Sequence, residues 1–197
     1  MSRIAIIIGS TRPNRFGIQV AEFIHKISQK NKNHRYELVD LKTVDLPLLD
    51  TPVPPSMANR EYPNKKVRAW SRIVDAADGF IFVTPEYNHG VPAALKNAID
   101  SIAPEWENKP VAFVSYGAGA GGIRAVEAFR PTVAWLGMHD LKDFVAIINY
   151  WQFLDEKGAY QPSGEHIKDA ERVVTRVAFW ADVFKDARTK LSGAVAS

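Results

Sequence analysis

The chain has 197 residues, 46% apolar and 24% charged, with a formal net charge of +3 and no cysteine. Such a composition suits a globular protein with one expected domain, 1–197, long enough to bury a substantial core. Disulfides, zinc–thiolate sites and thiol catalysis are excluded, and the scattered Lys and Arg carry no nucleic-acid motif, so nucleic acid is not an expected partner.

The first element is the apolar run ending at Ile4–Ile8. Five apolar residues are too few for a signal-peptide core or a membrane span, so a cytoplasmic protein with no membrane partner is expected. Five runs read as strands: Arg3–Ile8, Tyr36–Leu41, Gly79–Thr84, Pro110–Ser115 and Asp143–Ile148. Three of them are nearly continuous Ile, Val and Phe, as in strands buried on both faces of a parallel sheet. Helical stripes alternate with them: Val20, Ile24 and Ile27; Val67, Trp70 and Val74; Leu95, Ala98, Ile99 and Ile102. Val126, Phe129, Val133 and Leu136 form the next, closed by Gly137. A last helix, about Glu165 to Leu191, carries Val173, Val177, Ala181 and Phe184, and a frayed tail is expected over 192–197. Strict alternation predicts an α/β doubly wound sheet, and five strands favour the flavodoxin-like order 2-1-3-4-5.

Two segments lack a period. Residues 46–64 hold five prolines and are expected to wrap the surface as a loop. Residues 149–164 carry Tyr150, Trp151, Phe153 and Tyr160; they mark either a subunit interface or ligand rim, or aromatics packed on their own sheet edge.

The first strand runs directly into Gly9-Ser10-Thr11-Arg12-Pro13-Asn14-Arg15-Phe16-Gly17, with a helix from near Ile18. Hydroxyls, backbone N–H groups at a positive helix end and the forked donors of Arg12 and Arg15 suit a terminal phosphate. The same residues also suit a plain helix cap with solvated arginines. No Gly-Lys-Ser/Thr ending is present, so this is not a P-loop.

The third strand ends in Pro85-Glu86-Tyr87-Asn88-His89-Gly90, before a helix opened by Pro92. Core packing has no use for that string, and open α/β sheets bind ligands at this edge. Gly117-Ala118-Gly119-Ala120-Gly121-Gly122, after the fourth strand, formally contains the G-x-G-x-x-G dinucleotide pattern. The phosphate loop already lies at the first strand, so these glycines read as a loop that a flat ligand can approach closely.

Together the three loops resemble the NADPH-dependent FMN reductase family of flavodoxin-like quinone, azo-dye and chromate reductases. The matching residues are Gly9-Ser10-Thr11-Arg12, Pro85-Glu86-Tyr87-Asn88, Leu95-Lys96-Asn97-Ala98 with Asp100, and Ser115-Tyr116-Gly117 with Gly121-Gly122. Leu46-Pro47-Leu48-Leu49-Asp50 is similar to the family's loop after the second strand. The resemblance implies that Ser10, Arg12 and the N–H groups near Gly17 and Ile18 hold the FMN phosphate. Arg15 stands near where the family often has a serine. Pro85, Glu86, Tyr87 and Asn88 would lie along the flavin ring, and Ser115, Tyr116, Gly117 and Gly119 would cover its other edge. It further implies NADPH or NADH as co-substrate, a small-molecule electron acceptor, and a homodimer or tetramer with the flavin at a subunit interface.

Flavin chemistry needs no protein nucleophile and no metal, and none is expected here. Backbone N–H groups near Tyr87 and Asn88 are expected to donate to the flavin ring. Glu86 is expected to fix its loop. His89 is either a proton donor to a reduced quinone or a solvated loop histidine. Arg124 either reaches an NADPH phosphate or is a surface residue, and Lys96 and Asp100 pair with each other or across a dimer. The rival readings are a flavodoxin-type electron carrier, a phosphate-ligand module without redox chemistry, and a dinucleotide enzyme built on the glycine loop.

Overall fold

The computed structural model describes residues 1–195, with side chains to Leu191. The elements in chain order are β1 (Arg3–Ile8), α1 (Gly17–Ser28), β2 (Arg35–Asp40), α2 (Leu41–Val44), α3 (Lys65–Ala76), β3 (Gly79–Pro85), α4 (Ala93–Asp100), β4 (Pro110–Gly117), α5 (Ile123–Trp135), β5 (His139–Ile148) and α6 (Gly164–Val195). All five strands pair in parallel in the order β2-β1-β3-β4-β5. This is the flavodoxin-like doubly wound sheet that the sequence pattern predicts.

Alternate residues of each strand face opposite sides, so the sheet feeds two cores. Ile4, Ile6, Ile81, Val83 and Val114 pack under α1 and α6. Ala5, Ile7, Phe80, Phe82 and Phe113 pack under α3, α4 and α5, around the fully buried Trp70 and Trp106. Burial on both faces is why β1, β3 and β4 are continuous apolar runs.

Several boundaries differ from the sequence expectation; β3 and β4 run on to Pro85 and Gly117, and three other differences have a clear place in the chain. Leu41 leaves β2 and opens α2, because the Asp40 side chain accepts the Lys42 N–H at 3.0 Å and caps a new helix. Strand β5 begins at His139, four residues early, where its N–H bonds Lys109 O at 2.8 Å. Polar His139, Asp140 and Lys142 are tolerated there because β5 is an edge strand. Helix α6 extends to Val195, so 192–195 of the tail expected to fray are helical, and 196–197 lie outside the described residues.

The proline-rich segment is a surface loop with one turn of 3-10 helix at Pro55–Met57. Its far end is anchored by Tyr62, whose hydroxyl donates to the buried Glu105 at 3.0 Å. In the aromatic excursion, Tyr150 stacks on Phe16 at 4.7 Å and Tyr160 meets Phe16 and Phe23 edge-on, while Trp151 stays half exposed. Most of that segment therefore packs on its own domain face.

Candidate active site

Chain order reverses between β1 and β3, so the crevice beyond their carboxyl ends is the topological switch point. The first and second loops both leave the sheet there. Gly9 N–H bonds Val83 O at 2.9 Å, so the two loops depart from adjacent, registered strand ends.

In the first loop, Ser10 is buried and its hydroxyl meets the Tyr87 hydroxyl at 2.8 Å. A pair of hydroxyls shares one proton, which leaves the other free to donate outward. The Arg12 guanidinium lies over the Tyr87 ring, 5.8 Å from its centroid. Helix α1 starts at Gly17 behind Phe16, which offers no side-chain acceptor, so the first-turn N–H groups are uncapped. The Gly17 N–H is turned to the Tyr116 hydroxyl, which leaves Ile18 at the open helix end. A Cβ on Gly17 would stand 2.6 Å from that hydroxyl, so only glycine fits.

Arg15 is drawn inward. Its side chain is 5% exposed, pairs with Asp40 at the end of β2, and donates to Arg12 O at 3.3 Å. Its Nε is the one buried side-chain nitrogen or oxygen without a partner among the described residues.

The second loop is a two-residue turn. Tyr87 N–H bonds Gly90 O at 2.9 Å and Gly90 N–H returns to Tyr87 O at 3.0 Å. Asn88 and His89 both have positive φ, 52° and 66°, the geometry of a type I′ turn. The Tyr87 amide expected to face a ligand is therefore closed by Gly90. The amides of Asn88 and His89 have no backbone partner among the described residues. The His89 side chain is exposed.

Glu86 joins this turn to the third loop. Its carboxylate pairs with Arg124, which donates Nε–H at 2.6 Å, and accepts the Ala125 N–H at 3.3 Å in the first turn of α5. Arg124 is thus committed to Glu86 in this structure. Burial opposes the Glu86 charge, yet the bonds from Arg124 and Ala125 outweigh it and hold the carboxyl below its ordinary value near 4.5. A depressed carboxyl contributes stability that is present above the ordinary value and disappears as pH falls through the folded one. Thermal unfolding is therefore expected to shift downward as pH drops below about 4.5, and Glu86→Gln is expected to flatten that part of the curve. Calorimetry between pH 3 and 6 on both proteins checks it; identical slopes would remove Glu86 from the clamp.

The third loop closes on itself through Gly121 N–H to Ala118 O at 2.8 Å. Gly121 and Gly122 take φ of +57° and +84°, and Gly117 is pressed against the Gly122 backbone. A Cβ on Gly119 would meet nothing within 4 Å, so its backbone faces open space. Ser115 is buried and reaches only Val145 O at 3.5 Å. Tyr116 points into the core among Phe16 and Tyr150, away from the loop tip. Burial, first, raises its phenol well above the ordinary value, despite the Gly17 N–H and the nearby Arg15. Pro85 ends β3 and is buried. Lys96 and Asp100 pair along α4 at 2.5 Å.

Residues 2–152 match the family described as NADPH-dependent FMN reductase. The chain belongs to that family. An NAD(P)H-dependent FMN reductase of Schizosaccharomyces pombe is 41% identical over 120 residues, 61% of this chain. The chain spans only 60% of that relative's length. A quinone reductase of Pseudomonas putida is 31% identical over 141 residues, 68% of this chain and 71% of its own. The solved flavoenzyme FerB, an NAD(P)H:(acceptor) oxidoreductase of Paracoccus denitrificans, superposes with a TM-score of 0.68 at 20% identity. That likeness covers 94% of this chain and 98% of FerB, and it bears on the fold alone.

Two residues make contacts at the site that the sequence alone does not assign, although Asn97 belongs to the matching motif. Asp40 neutralises Arg15 from another strand end. Asn97 bonds the loop after α2, through Pro47 O at 2.8 Å and Leu49 N–H at 3.0 Å. Asp40 has one readable cue, an acidic residue ending a strand where a helix starts.

Proposed function

We propose that the chain is an FMN-dependent oxidoreductase that takes hydride from NADPH or NADH and delivers it to free flavin, quinones or similar acceptors. The observation that carries this reading is the donor set at the switch point. An uncapped helix end, the shared Ser10–Tyr87 hydroxyls, Arg12 and an orphaned buried Nε on Arg15 together need an anion. FMN, when bound, supplies hydride acceptance and onward transfer. The chain's own residues do the rest.

Ser10, Arg12, Arg15 and Ile18 form the phosphate cradle in this reading, while Gly17, expected to share in it, spends its N–H on the Tyr116 hydroxyl. Pro85, Glu86, Tyr87 and Asn88 set the ring's place, with the Asn88 and His89 amides as its free backbone donors. Ser115, Tyr116 and Gly117 shape the third loop from beneath, and Gly119 presents bare backbone to a flat ligand. His89, exposed on the turn, is the proton donor to a reduced acceptor in this reading.

The same proposal includes one flavin domain over residues 1–197, a cytoplasmic location and a dimer or tetramer with the flavin at the subunit boundary. The assembly is supported by the exposed Met57 and Trp135 on the α4–α5 side of the sheet. No helix among the described residues is long and apolar enough to cross a membrane. A flavodoxin-type carrier fits less well, because a chain of net charge +3 lacks an acidic run for docking redox partners.

An anaerobic absorption spectrum before and after NADPH tests the function. A yellow protein that bleaches rapidly is expected. A yellow protein that NADPH leaves unbleached would favour the carrier, and a colourless protein that FMN cannot reconstitute would overturn the reading.

A further inference from the structure

A cavity of about 290 Å³ adjoins the first loop. Thr11 borders it on one side, Ala93, Ala94 and Asn97 of α4 on another, and Leu46 and Leu48 of the proline-rich loop on a third. Thr11 belongs to the cradle loop and Ala93 opens the helix that follows the Tyr87 turn. The cavity therefore adjoins the cradle loop through Thr11, with small alanine side chains leaving its floor open.

Leu48 is one apolar wall of it beside Leu41 and Leu46, with Lys42 and Asp45 at its polar edge, and packing does not hold Leu48 in place. The side chain is 76% exposed. A second cleft of about 290 Å³ lies on its other side, beneath the proline-rich loop. Space on both flanks leaves Leu48 free to move unless its backbone is fixed. The segment around it has no strand neighbour to bond with.

Asn97 takes the neighbour's part. Its amide donates to Pro47 O at 2.8 Å and accepts the Leu49 N–H at 3.0 Å, gripping the chain on either side of Leu48. A primary amide offers one donor and one acceptor side by side, the pairing that an adjacent strand would give. Asn97 is itself fixed one helical turn into α4, between the buried Leu95 and Ala98.

We propose that Asn97 is a positioning residue for acceptor choice, holding Leu48 as the wall against which a flat apolar acceptor of the quinone class seats. The inference rests on the reductase reading above. Aspartate or leucine at position 97 would each lose half or all of the pairing, and the wall would swing towards the cleft behind it.

The test uses the flavin-loaded protein with Asn97→Ala and Leu48→Ala. For Asn97→Ala, subtilisin cleavage within residues 45–50 should quicken about tenfold, as expected for losing one or two hydrogen bonds that hold a local segment. Its KM for menadione should rise about tenfold with kcat kept, while KM for ferricyanide and FMN affinity, read by flavin fluorescence, stay unchanged. Leu48→Ala should raise the menadione KM alike without the change in cleavage. Unchanged menadione KM in both variants, or a parallel rise for both acceptors, would overturn the proposal. A wild-type protein that takes up no flavin would instead overturn the reductase reading itself.

Discussion

Arg15→Met is expected to weaken FMN binding about tenfold to a hundredfold while leaving riboflavin affinity unchanged. A hydrogen bond to a charged group contributes about 1.5–3 kcal/mol, and each 1.4 kcal/mol is a factor of ten. Arg15 is nearly buried, and its Nε has no partner within the chain, so a phosphate would complete its hydrogen bonding. Riboflavin lacks the phosphate and serves as the control. The pairing with Asp40 adds a second arm. The aspartate balances the arginine charge and would repel an incoming phosphate. Asp40→Asn keeps an oxygen to cap Lys42 and removes that opposition, so FMN affinity should hold or tighten. Isothermal titration of the three proteins with both ligands decides the matter. If the two variants weaken both flavins equally, Arg15 and Asp40 merely brace the loop.

Gly122→Ala should destabilise the fold by about 3 kcal/mol, whereas Gly119→Ala should change stability by less than about 0.5 kcal/mol. Gly122 has φ of +84°, and a Cβ there would stand 2.8 Å from Ser115 Cβ and 3.1 Å from Tyr116 O. The backbone conformation alone costs about 1–2 kcal/mol for a residue with a side chain, and the overlap adds to it. For a chain of this size the loss corresponds to a fall of roughly 6–12 °C in melting temperature. At Gly119 a methyl meets nothing, so its effect should appear only when a ligand approaches. Melting curves with and without FMN separate the cases. Gly119→Ala should melt like the parent without ligand and gain less from FMN. Equal gains would mean that the third loop does not face the ring.

The sheet order is legible because burial on two faces writes itself into β1, β3 and β4 as unbroken Ile, Val and Phe. The start of β5 is not legible. Leu141 is the lone apolar residue among His139, Asp140 and Lys142, too little to announce a strand, and the pairing with β4 makes them one. Helix α2 is hidden because Leu41 continues the apolar run of β2, while the deciding event is a side-chain cap by Asp40. The loops that border the switch point can be named from their residues. Their bonding cannot. Arg15 and Asp40 are 25 positions apart, and Asn97 meets Pro47 across 50, so no local pattern records either contact. Glu86 is readable as a fixing group, but its partner Arg124 is not. The amide of Tyr87 looks available in the sequence because type I′ closure depends on two left-handed residues, Asn88 and His89, one of which is not a usual choice.

The self-closure of the second and third loops bears on how a ligand comes and goes. The Tyr87–Gly90 turn, the Ala118–Gly121 turn and the Glu86–Arg124 bridge are all made between groups of the chain itself. Shaping the crevice is therefore a cost met when the chain folds, so arrival of a flavin orders little that is still loose. Capture then proceeds at the pace of ordinary collision with a ready surface, and residence time alone separates a tenant cofactor from a passing substrate. One hydrogen bond more or fewer at the phosphate end would move the protein from one habit to the other with no change of architecture.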